Sequence, residues 1–197
     1  MDHRKAEYML SALGAVMEEQ GIAPVDIVIC GATVLLLQGA IARPTRDIDG
    51  LGLVVEDGGA LVLRKPLMSG EFEAAVERVG NLNGEGKLWF STAARILHDD
   101  TELPTDIIAG ADVRRYGNRL TVRLCSRRHM VYLKMWAAVD RGEPDIGDLI
   151  EMQVSEEEAR MAAAWCLEQD AGALPEIRAV LEEVGHGELA RRLGEER

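Results

Sequence analysis

The apolar run IVICGATVLLLQGAIA, residues 27 to 42, constrains this chain more than any other stretch. A membrane-spanning helix needs about 20 apolar residues. This run is shorter, and Gly31, Gln38 and Gly39 interrupt it. It therefore reads as two elements of a globular domain with no membrane role. VDIVIC, residues 25 to 30, has the continuous apolar character of a strand buried on both faces. Gly31 ends it, and ATVLLLQGA continues as a helix that closes near Gly39. At such a turn the backbone N–H groups can receive an anion, so Gly31 and Ala32 are candidate contacts for a phosphate.

RPTRDIDGLGLVV, residues 43 to 55, comes next: a polar turn, then a strand whose far end enters a core. GEFEAAVERVG, residues 70 to 80, is a helix between glycines, and KLWFS, TDIIAG and RLTVRL are three further strand candidates. The opening segment places Met9, Leu13, Val16 and Met17 on one helical face, an amphipathic helix rather than an export signal. From Arg127 the pattern is helical throughout. RRHMVYLKMWAAVDR runs to Gly142, a second helix starts near Pro144, and Ser155 and Glu158 have capping-box spacing before a third. LPEIRAVLEEVG and GELARRL complete the tail. The expected class is α+β: a mixed sheet flanked by helices over residues 1 to 126, then a C-terminal helical bundle over residues 127 to 197.

Asp47 and Asp49 stand at the mouth of the second strand. Residues i and i+2 of a strand share a face, so the two carboxylates project together while Ile48 turns toward a core. Their repulsion raises one pKa unless a cation neutralises them, and hard oxygen ligands of this kind suit Mg²⁺ or Mn²⁺. Asp106 opens TDII in the same polar-then-apolar manner and is the candidate third ligand. Taken alone, Asp-x-Asp also fits a solvated strand end, and His98, Asp99 and Asp100 read as a solvated loop.

The strand-Gly-helix unit, the Arg43-x-Thr45-x-Asp47-x-Asp49 run and the third acid together resemble the signature of the nucleotidyltransferase superfamily with a polymerase-β-type fold. The resemblance is closest to the AbiEii/AbiGii toxins of type IV toxin-antitoxin systems. It extends into the helical part, where Lys134, Met135, Ala137 and Arg141 meet the pattern K-h-x-A-x-x-x-R, and Asp145 and Asp148 meet the following D-x-x-D. The resemblance implies a nucleotidyltransferase-like sheet and Mg²⁺-dependent transfer of a nucleotide from a nucleoside triphosphate such as ATP. It implies metal ligation by Asp47, Asp49 and Asp106, and substrate contacts from Gly31, Ala32, Arg43, Thr45, Lys134, Arg141 and Asp145. Asp148 joins the three acids as a catalytic candidate. The implied acceptors are a tRNA end, a protein or a small molecule, and a cognate antitoxin protein is an implied partner.

Charge and cysteine usage bear on those partners. The net charge of -12 excludes a broad basic face for nucleic acid. A tRNA acceptor therefore requires Arg114, Arg115, Arg119, Arg123, Arg127 and Arg128 to gather into a positive stripe. Cys30, Cys125 and Cys166 lie far apart in apolar surroundings, the pattern of reduced core thiols in a cytoplasmic protein. Ala32 and Pro144 stand where the family often has a glycine or serine and a lysine. They favour the alternative, a degenerate nucleotidyltransferase-fold module that binds proteins and has lost its chemistry.

Overall fold

The computed structural model describes residues 1 to 193; the last four residues of the expected helical region lie outside it. The chain divides into two compact units, Met1–Ser126 and a second that begins at Arg127.

The first unit is α+β. Its elements are α1 (His3–Glu19), β1 (Val25–Cys30), α2 (Gly31–Leu37), β2 (Ile48–Asp57), β3 (Ala60–Arg64), α3 (Gly70–Leu82), β4 (Phe90–Ser91), α4 (Leu97–Asp100), β5 (Asp112–Tyr116) and β6 (Leu120–Leu124). Short 3₁₀ turns flank β4. The strands form one mixed sheet in the order β3-β2-β1-β6-β5, with β4 paired to the start of β2. β1 is central, antiparallel to β2 and parallel to β6. Its Ile27, Val28, Ile29 and Cys30 are all buried, which explains the unbroken apolar run.

β2 is long enough to serve two neighbours. Its first residues pair with β4, Ile48 opposite Phe90 and Asp49 opposite Ser91, while its far half forms a hairpin with β3. Gly58 and Gly59 both have positive φ, as a tight two-residue hairpin turn requires. Against β1 the register shifts between Val28 and Ile29, which face Gly52 and Gly50, so Leu51 is an extra residue, a bulge. The Leu51 carbonyl leaves the ladder and accepts from His98, whose Nε2 lies 2.9 Å away.

α1 packs against α2, α3 and the β5–β6 hairpin through Met9, Leu10, Leu13 and Met17, all fully buried at helical spacing. Asp2 caps α1 by accepting from the Lys5 N–H, and Ser69 caps α3 by accepting from Phe72.

The second unit is helical: α5 (Arg127–Arg141), α6 (Asp145–Glu151), α7 (Glu156–Gln169), α8 (Leu174–Glu183) and α9 (Gly187–Arg192). The expected capping box is present, with the Ser155 hydroxyl accepting from the Glu158 N–H and the Glu158 carboxylate accepting from the Ser155 N–H. Tyr132 and Trp165 stack at 5.7 Å, and Trp136 meets Trp165 edge to face at 6.2 Å, so these aromatics pack with one another. Among the described residues no helix is long and apolar enough to cross a membrane.

Two strand expectations need correction. TDIIAG is a turn: residues 105 to 110 carry no strand, the Gly110 N–H donates to the Asp106 carbonyl, and Ile107 is its one buried side chain. Pro104 holds that turn, since the Ile107 N–H donates to its carbonyl. KLWFS is largely a 3₁₀ turn, Gly86–Trp89, and only Phe90 and Ser91 are strand.

Candidate functional site

The candidate site of the first unit is built where β1 turns into α2 and β2 begins. Cys30, the last residue of β1, faces Asp49 across the ladder. The chain then turns through Gly31, whose φ of +79° is a conformation that L side chains avoid. A Cβ at Gly31 would lie 2.4 Å from Oδ2 of Asp49, so the bare glycine is what admits that carboxylate.

Asp47 and Asp49 flank Ile48, which is fully buried, while both acids are half-buried. Asp49 is the second residue of β2, and Asp47 immediately precedes the strand. The Asp47 backbone is held from two sides. Its carbonyl accepts from the hydroxyl of Thr33 and, at 3.2 Å, from that of Thr45. Both threonines are buried, at 1% and 7% exposure, so the two bonds are shielded from water. Thr45 is itself fixed by its N–H, which donates to the Met1 carbonyl at 3.0 Å. Ala32 and Arg43 are half-buried close by in sequence. Thr33 was missed by sequence reasoning; the available signal was a hydroxyl two residues into a helix that is otherwise aliphatic.

A phosphate was expected over this turn, yet the group beside Gly31 is the Asp49 carboxylate. Two anions that share this space repel each other unless a cation neutralises them. Asp47 and Asp49 together offer oxygen donors of the kind Mg²⁺ takes alongside waters and phosphate oxygens, so the donor chemistry fits this ion. Asp106 is exposed on its turn. Among the described residues no three of the His, Cys, Asp and Glu side chains form a group suited to a metal, so the three-acid cage is not assembled.

In the second unit the structure brings Lys134, Arg141, Asp145 and Asp148 together. The Lys134 ammonium lies 2.6 Å from Oδ1 of Asp145 and 2.6 Å from Oδ2 of Asp148. These side chains are 7%, 1% and 0% exposed, so the ion pairs are inside the helical core. Arg141, largely exposed, donates from Nε to the other Asp145 oxygen at 2.7 Å. α5 supplies the two cations and α6 the two acids, spaced i and i+3 so that both face α5. The cluster ties one helix to the next, and Lys134 is turned into it.

Of the arginines expected in a positive stripe, Arg114, Arg119, Arg123 and Arg127 have partners within the chain. Arg123 grips Asp26 with two 2.8 Å bonds, and that hydrogen bonding raises its pKa further above the ordinary range. Arg114 pairs with Glu7, and Arg119 donates to the Ile22 carbonyl at 2.7 Å. Arg127, in the second unit, pairs with Glu158 at 2.7 Å. Cys125 and Cys166 are buried free thiols, each with its pKa pushed up to about 12 by burial.

Comparison with protein-family models, with curated proteins and with solved structures gives no match to this chain.

Proposed function

We propose that the protein is a metal-dependent nucleotidyltransferase whose site is the junction of Gly31, Asp47 and Asp49. The observation that carries this reading is the Asp49 carboxylate lying against a left-handed Gly31 at a strand-to-helix turn. A triphosphate and a carboxylate both suit this turn, and a divalent cation reconciles them. Asp47 and Asp49 would hold Mg²⁺ or Mn²⁺, which when bound supplies charge neutralisation for a triphosphate. The residues of the chain do the rest. Thr33 and Thr45 fix the Asp47 backbone, the Gly31 turn allows close approach, and catalysis is positioning and electrostatics. On the resemblance noted above, the protein would be the toxin of a type IV pair, with a cognate antitoxin as partner.

Binding of Mg²⁺ with each of the four nucleoside triphosphates, followed by calorimetry, tests the site directly. Binding that requires Mg²⁺ and is abolished in Asp47→Ala/Asp49→Ala supports the proposal. Equal binding by the double variant sinks it.

One observation favours a second reading. Asp106 is on an exposed turn and no three-acid group is assembled among the described residues, as suits a nucleotidyltransferase-fold module that binds nucleotide without turning it over. Pyrophosphate release separates the two: Mg²⁺-dependent binding with no release, whatever acceptor is offered, selects the binding module.

A further inference from the structure

Beside this junction the first unit carries a groove of about 470 Å³, a size that holds a small ligand or a short peptide segment. Its floor is apolar. Phe72 and Val76 of α3 and Phe90 of β4 line it, and the two phenylalanine rings meet edge to face at 5.7 Å. α3 also presents Glu73 and Glu77, one helical turn apart, and the chain on either side of β4 presents Lys87 and Arg95. None of these four charges has an ion-pair partner among the described residues. Two like charges at i and i+4 on an exposed helix face repel weakly and favour a cationic group beside them.

The groove meets the candidate site at β4, which lines it on both faces. Phe90 pairs with Ile48 and shares its face with the apolar floor, whereas Ser91 pairs with Asp49 and shares the face of that carboxylate. An extended segment along β4 would therefore present alternate side chains to the floor and to Asp49. Among the described residues β4 pairs only with β2, so its other side is a sheet edge.

We propose that this groove is the acceptor site for the nucleotidyl transfer, and that the acceptor is a hydroxyl-bearing peptide segment lying extended along β4. The inference rests on the reading of Asp47 and Asp49 given above. Acids on one side and bases on the other complement a chain with mixed charges, and a polyanionic RNA would meet Glu73 and Glu77. The apolar floor suits aliphatic side chains, and a sheet edge recognises backbone. In the transfer, the peptide hydroxyl oxygen bonds to the α-phosphorus while the bridging bond to the β-phosphate breaks. Pyrophosphate leaves with the electron pair, and the hydroxyl proton passes to solvent.

The test uses the full chain with Mg²⁺ and nucleoside triphosphates labelled at the α-phosphate. Two probes are offered separately: bulk tRNA, and a pool of acetylated peptides in which Ser or Tyr is flanked by Lys, Glu and aliphatic residues. The expected result is labelled peptide, none with Asp47→Ala/Asp49→Ala, and a fall of about tenfold in kcat/KM with Glu73→Lys/Glu77→Lys, carried by KM. Label on tRNA alone, or peptide labelling indifferent to the charge reversal, overturns the proposal. No label on either probe while Mg-nucleotide still binds overturns the acceptor site and leaves the nucleotide site standing. If no nucleotide binds, the nucleotide reading fails, and amide shifts on titrating the peptide pool judge the groove alone. Shifts confined to α3 and β4 support a peptide site, and no shifts overturn it.

Discussion

Replacing Lys134 with methionine removes the ammonium that touches both Asp145 and Asp148 while keeping much of the buried stem. Breaking a buried ion pair by deleting one partner costs about 3 to 5 kcal/mol, because a charge stays behind in a medium that solvates it poorly. Arg141 still reaches Asp145, which places the expected loss near the lower end, about 3 kcal/mol. That is a large share of the roughly 4 to 10 kcal/mol available to a domain of about 70 residues. Urea denaturation of the full chain reads it out through Trp136 and Trp165, with Trp89 of the first unit changed to phenylalanine in every variant. With a slope of about 1 to 3 kcal/mol per molar, the midpoint falls by about 1 to 3 M. Adding Asp148→Asn to Lys134→Met removes the stranded charge and recovers part of the loss, a coupling that only interacting residues show. A loss below about 1 kcal/mol, or a double variant weaker than the single, would refute this account. Lost nucleotide binding with stability intact would instead assign Lys134 to a phosphate.

Further expectations follow from other parts of the chain. Gly31→Ala should cost about 1 to 2 kcal/mol for its left-handed backbone and also displace the Asp49 carboxylate. Mg-nucleotide affinity should therefore fall far more than in Ala32→Gly, and equal affinities in the two variants would contradict the site. Cys125 and Cys166 should resist alkylation until the protein unfolds. Their pKa rises from 9.0 in the unfolded chain to about 12 on folding, so the folded state holds these protons longer. The stability they lend is complete below pH 9.0 and fades from there toward about 12, which thermal melts across alkaline pH would reveal. Glu158 behaves oppositely. Its hydrogen bond from Arg127 lowers its pKa from 4.5 to about 2, so its contribution is present above pH 4.5 and is lost as pH falls toward about 2. Ser155→Ala should destabilise the protein by about 1 kcal/mol and reduce that acid dependence; an unchanged acid limb would count against the capping-box account.

What could be read from sequence was whatever local physics decides. The central strand β1 announced itself by burial on both faces, Gly31 by breaking an apolar run, and α7 by its capping box. β3 and β5 went unread because edge strands bury little: Ala60 and Leu61 are exposed, as are Asp112 and Val113, so no clean alternation survives. The Gly58-Gly59 turn ahead of β3 was the overlooked signal. TDIIAG was over-read because two isoleucines resemble a strand, whereas Pro104 and the hydrogen bonds around it make a turn. In the site, strand parity gave the expectation that Asp47 and Asp49 share a face, and Ile48 between them is buried as that expectation requires. The carboxylate against Gly31 could not follow, since it depends on strands brought together across the sheet. The four charged residues of the second unit were singled out by a motif that spans two consecutive helices, but a motif carries no measure of burial, and burial makes Lys134, Asp145 and Asp148 a core cluster.

The bulge at Leu51 has a consequence for how β2 encodes direction. Upstream of it, even-numbered residues face the side of Ile27 and Ile29, as Gly50 does; downstream, odd-numbered Leu53 takes that side. One surplus residue thus acts as a phase shifter between the acids and the hairpin. Deleting it would leave composition and hydrophobic content almost unchanged, yet with the hairpin pairing kept it would carry Asp47 and Asp49 to the opposite face of the sheet. For this segment the count of residues between landmarks is as much a part of the message as their identities.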